Sequence, residues 1–84
     1  MYAIMNYNVY ERLNYLEKLL KSDRKDALAD AIDDAVKSGS TSTEILMRVR
    51  YLLIQFQQSN DTRLDKDTQN LIEEILSYVN KVLA

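Results

Sequence analysis

The sequence predicts an all-α fold: a small up-and-down bundle of three to four short helices in one domain, residues 1–84. Three observations carry this. The chain has no Pro and a single Gly, so the punctuation of strands and tight turns is missing. Capping residues recur just ahead of apolar segments. Within those segments apolar side chains return every three or four residues, the period of a helix with one buried face. Connections of about three to six residues favour antiparallel neighbours.

The first helix is announced by Asn8-Val9-Tyr10-Glu11, a capping residue followed by Glu. Val9, Leu13, Leu16 and Leu20 form its stripe, and Tyr2 and Met5 extend that stripe backwards, so its start stays open. Ser22 and Asp23 are expected to open the second helix, which turns Leu28, Ala31, Ile32, Ala35 and Val36 inward. Gly39 ends it, on the expectation of a left-handed residue after the last turn, with Lys37 at the negative end of the dipole. Thr41-Ser42-Thr43-Glu44 is a capping box and starts the third helix, with Ile45, Val49, Leu52, Leu53 and Phe56 on its stripe. A polar turn is expected from Gln57 to Thr62. The last helix then starts near Arg63 or Asp65 and buries Leu64, Leu71, Ile72, Ile75, Leu76, Val79 and Val82.

Composition narrows function by exclusion. With no His and no Cys, zinc ligands, disulfides and the usual activated nucleophiles are missing. One Gly cannot build a phosphate-cradling loop. No enzyme activity, catalytic residue, cofactor or small-molecule substrate is therefore expected. The stretch Asp61 to Asp67 lacks the Gly and Glu that a calcium loop needs, and no metal site is expected. The longest apolar run, Tyr51-Leu52-Leu53-Ile54, is far short of the roughly 20 residues of a membrane span, and the first residues do not read as a secretory signal. A cytoplasmic protein with no membrane role is expected. A core this small usually needs a staple, and with disulfides and metals excluded, association of subunits remains. A homo-oligomer is therefore expected.

Two surfaces are candidates for binding a protein partner. On the third helix Met47, Tyr51 and Ile54 make a second apolar stripe, roughly opposite the first and flanked by Arg48 and Arg50. It is either the inner lining of a central helix or an exposed contact patch. The second helix carries Asp23, Asp26, Asp30 and Asp33 at helical spacing, with Asp34 beside them and only Lys37 to offset them. That row is either a solvated face or a surface for a basic partner. The second and third helices also have the outline of a helix-turn-helix, but aspartates beside a reading helix would be repelled by phosphates, so DNA contact is disfavoured.

Residues 27–79 resemble the small enterobacterial two-component-system connector proteins, the AriR-type regulators of biofilm formation and acid resistance. The resemblance lies in Ala27-Leu28, Ala31-Ile32, Ser38-Gly39, the turn at Asp61, Ile75-Leu76 and Tyr78. It implies a bacterial helical homodimer that modulates signalling or transcription by protein contact, with DNA association suggested for the family. The alternative is an antitoxin or immunity protein whose acidic helix face inhibits a bacterial toxin.

Overall fold

The computed structural model describes residues 7–59 and 64–84. Its helices are α1 (Val9–Ser22), α2 (Asp26–Ser38), α3 (Ser42–Gln58) and α4 (Lys66–Leu83). They form a ring. The helix α1 packs on α2 and α4, and α3 packs on the same two, while neither diagonal pair comes into backbone contact. Tyr7 meets Tyr78 and Arg12 meets Glu74, so α1 and α4 run antiparallel. This is the up-and-down bundle that the spacing predicts.

Each helix turns one stripe to the shared core. Val9, Leu13, Leu16 and Leu20 of α1 are buried as the sequence indicates. In α2 the buried set is Ala29, Ile32 and Ala35, with Leu28, Ala31 and Val36 only half-buried. The inner line therefore runs through Ala29, a residue too small to stand out in the pattern. In α3 Leu46, Val49 and Leu53 are buried, whereas Ile45, Leu52 and Phe56 pack at the edge of the core. Leu71, Ile72, Ile75, Leu76 and Val79 come from α4. Val82 is exposed instead, and Leu83, four positions after Val79, takes the inner place. Leu64 precedes α4 and packs against the core edge.

The helix ends show where capping logic holds. The Asn8 side chain accepts from the backbone N–H groups of Tyr10 and Glu11 at 3.1 and 3.2 Å. Thr41 Oγ1 accepts from Glu44 N–H at 3.2 Å, and Glu44 Oε1 accepts from Ser40 N–H at 2.9 Å. That is the expected box, with the Glu reaching one residue further back. The turn between α1 and α2 corrects the sequence reading. Asp23 is the C-cap of α1 and not a member of the second helix, which starts at Asp26. Lys25 N–H donates to the Leu20 carbonyl at 2.7 Å and Arg24 N–H to that of Lys21 at 3.1 Å, a Schellman closure. That motif consumes residues 23–25, so neither Ser22 nor Asp23 is left to cap α2.

Among the described residues the left-handed position is accordingly Arg24, at φ 63°, and not Gly39. Gly39 sits at φ −70° and ψ 139°, open to any residue. It is needed for space: a Cβ there would collide with Cγ1 of Ile45 and lie 3.2 Å from the Ala35 carbonyl oxygen. The helix α3 also runs on through Gln57 and Gln58, where a turn was expected, because nothing in that polar stretch breaks a helix. Tyr2, Met5, Asp61, Thr62 and Arg63 lie outside the described residues.

Side chains lock the ring across its seams. The displaced Asp23 carboxylate accepts from Thr68 Oγ1 at 3.0 Å and from Asp65 N–H at 3.3 Å, tying the end of α1 to the start of α4. Thr68 is fully buried, so this bond satisfies a hydroxyl that has no access to water. At the opposite end Tyr7 Oη donates to Glu74 Oε2 at 2.7 Å, and Arg12 Nε donates to the same oxygen at 3.0 Å. Burial pushes the Glu74 carboxyl up, but the hydrogen bonds from Tyr7 and Arg12 and the charge of Arg12 outweigh it, and its pKa is lowered.

Two outcomes follow for stability. A non-Gly residue in the left-handed region costs roughly 1 kcal/mol, part of which a Gly gives back as unfolded-state entropy. Arg24→Gly should therefore raise stability by about 0.5 kcal/mol, read by circular dichroism as a Tm higher by roughly 2–4 °C. A lower Tm would mean that the guanidinium supports the turn. For Glu74, a folded pKa below the unfolded value gives stability that is present above the unfolded pKa and lost as pH falls through the folded one. Glu74→Gln should thus be less stable than wild type at neutral pH, with the gap closing in acid. A gap that persists unchanged into acid would remove the charge from the explanation.

Candidate functional site

The ring decides the status of the second stripe on α3. With neighbours only at its flanks, α3 buries Leu46, Val49 and Leu53 and leaves the side about 130° further round in solvent. Met47 is 52% exposed, Tyr51 61% and Ile54 37%. The alternative of a central helix lined on both sides is therefore removed. With Arg50, Gln55 and Gln58 these residues line an open hollow. Gln55 Nε2 donates to Tyr51 Oη at 3.1 Å, which ties the phenol to the next turn of its own helix. Large apolar groups held in solvent this way, with a tyrosine among them, are characteristic of contact surfaces.

The arginines sit on opposite edges of the stripe. Arg50 is half-buried and leans toward α4, where Nη1 donates to Asn80 Oδ1 at 3.4 Å. Arg48 is exposed and lines the hollow at the α2–α3 turn with Ser38, Ser40 and Glu44. Among the described residues Arg48 has no hydrogen-bond or ion-pair partner, and Arg50 has only a neutral one.

The acidic row is less uniform than its spacing implies. Asp26, Asp30 and Asp34 are exposed. Asp33 is half-buried and pairs with Lys37 Nζ at 3.0 Å. The Ser38 hydroxyl lies 3.1 Å from Asp34 Oδ1 and 2.6 Å from the Asp34 carbonyl oxygen. Asp23, as shown above, belongs to the α1–α4 tie. In its place Glu17 of α1 joins the row. Burial pushes the Glu17 carboxyl up, and the negative charges of Asp33 and Asp30 add to that, against Lys21 and Lys37. The sequence reading missed Glu17 and Lys21 as members of this face. The signal was present: in an antiparallel pair joined by a tight turn, residues equally distant from the turn face each other, and residues 17 and 33 nearly are. Among the described residues no carboxylates are grouped so as to hold a metal ion.

No family model matches the chain, and no curated protein or solved structure matches it. No helix of the described residues is long and apolar enough to cross a membrane.

The raised Glu17 carboxyl gives a signed expectation. A folded pKa above the unfolded value contributes stability below the unfolded pKa that is lost as pH rises through the folded one. Glu17→Gln should therefore raise Tm at neutral pH, with the advantage fading as pH drops through the carboxyl range. Identical melting curves at every pH would show the row to be fully screened.

Proposed function

We propose that this chain is a non-enzymatic regulatory protein that acts by protein–protein contact, with the outer face of α3 as its principal contact surface. The observation that carries this reading is the exposed stripe of Met47, Tyr51 and Ile54, an apolar surface that the bundle makes no use of. The cellular setting follows from the resemblance of residues 27–79 to the connector proteins: bacterial signalling or transcription control of the biofilm and acid-stress type, in the cytoplasm. Self-association into a homo-oligomer is a separate part of the proposal and rests on the small core without disulfide or metal. Sedimentation showing only monomer at micromolar concentration would remove that part alone.

A second reading is favoured by a different observation. Glu17 adds a carboxylate from α1 to Asp26, Asp30, Asp33 and Asp34, so the acidic face spans two helices. A toxin inhibitor that answers a basic partner would use that face, with the aspartates standing in for phosphates.

One experiment separates the readings. A photo-crosslinking residue is placed at Gln55, beside the stripe, and in a second variant at Asp30, on the acidic row. Adducts at position 55 are expected, and Tyr51→Ser with Ile54→Ser should abolish them. That double variant should keep its helical circular dichroism and lose no more than about 1 kcal/mol of stability, since both changes are on the surface. Contact should weaken by roughly 2 kcal/mol, the scale of an aromatic anchor. Adducts only at position 30 would transfer the site to the acidic face, and none at either position would overturn both readings.

A further inference from the structure

The charges around the α3 stripe select the chemistry of what covers it. In a chain of net charge −2, the one described apolar face bearing Met47, Tyr51 and Ile54 has a guanidinium on each edge. Arg48 lies toward the α2–α3 turn and Arg50 toward α4. Among the described residues neither arginine has an ion-pair partner. Glu44, the nearest in sequence, accepts through Oε1 from the Ser40 N–H. Asp33 is paired with Lys37, and Glu74 with Arg12.

A second copy of the chain fits these charges poorly. Two α3 faces packed about a two-fold axis set arginine against arginine in either direction: Arg48 beside Arg50 on both edges if the helices run parallel, Arg48 beside Arg48 and Arg50 beside Arg50 if they run antiparallel. Like charges at such spacing repel. An acidic occupant meets the opposite condition. The stripe spans about two helical turns, its anchors recurring at +4 and +3. That matches a helix laid against it with its own anchors at the same period.

We propose that the outer face of α3 receives an amphipathic helix of a partner protein, one whose apolar stripe is bordered by Asp or Glu on both sides. The proposal rests on the reading of this face as the contact surface and adds the partner's chemistry. Met47, Tyr51 and Ile54 supply the apolar contact. Arg48 and Arg50 steer the approach and reject helices with basic borders, which is the usual work of charges at the rim of an interface.

The test uses two synthetic helical peptides, each with Leu at every third and fourth position. One carries Glu along both borders and the other Lys. Binding to the full chain is followed by NMR, through the resonances of Met47, Tyr51 and Ile54. The Glu-bordered peptide is expected to bind at this face, more weakly as salt is raised. Arg48→Glu with Arg50→Glu should weaken it about tenfold, the scale of a few exposed charge pairs turned from attraction to repulsion, while the melting curve stays close to wild type. The same reversal should strengthen the Lys-bordered peptide, which keeps the test valid if affinity for either peptide is low. Equal binding of both peptides, tighter binding of the Lys-bordered one, or no change at the three named residues overturns the proposal. Adducts at position 55 together with any of those results would leave the contact surface standing and refute only the acidic helix. A crosslinked adduct of twice the chain's mass would make the occupant a second copy.

Discussion

The structure depends on one packing constraint: four helices in a ring, each with a neighbour on either side and none across the diagonal. In such a ring a helix has one inner side, and an amphipathic stripe is all it needs. The helix α1 meets the condition with Val9, Leu13, Leu16 and Leu20, and α4 with its Leu and Ile line. The helix α3 carries more apolar surface than the condition requires. Leu46, Val49 and Leu53 take the inner side, and Met47, Tyr51 and Ile54 are left in water because none of the described helices covers them.

The turns fix the register within the ring, and the register decides which charges meet. The Schellman closure after α1 uses Asp23, Arg24 and Lys25 and delays α2 to Asp26. That shift frees the Asp23 carboxylate for the buried Thr68 hydroxyl of α4. It also brings Glu17 into the field of Asp33 and Asp30. At the next turn Gly39 lets the chain pass close to Ile45, where any side chain would collide. One turn thus ties the ring at its far corner and sets Glu17 beside the aspartates of α2, while the other brings α3 against α2.

These arrangements divide the charge of the molecule. Carboxylates gather along the α1–α2 seam, where Lys37 answers Asp33, and burial together with the charges of Asp33 and Asp30 raises the Glu17 carboxyl. On α3 the unanswered groups are guanidiniums. A mildly acidic chain therefore presents its apolar face with a basic border. Net charge alone would have pointed to a basic partner.

The sequence by itself determined the fold class, the helix stripes of α1 and most of α4, and the caps at Asn8 and Thr41. These depend on periodicity and on side chains bonding backbone a few residues away, and such local rules need no knowledge of the rest of the chain. It also singled out Met47, Tyr51 and Ile54, since a second stripe is visible in spacing. It could not say whether that stripe was inside or outside, because burial depends on how many helices surround α3. Only the tertiary structure decided this, along with the roles of Asp23, Arg24 and Gly39. Each of those residues answers to a competing demand made elsewhere: a hydroxyl on α4, the closure of α1, the bulk of Ile45. Ala29 and Glu17 became legible for the same reason. The one is inside because α2 turns on its axis to meet two neighbours, and the other is acidic-face because an antiparallel partner brings it there.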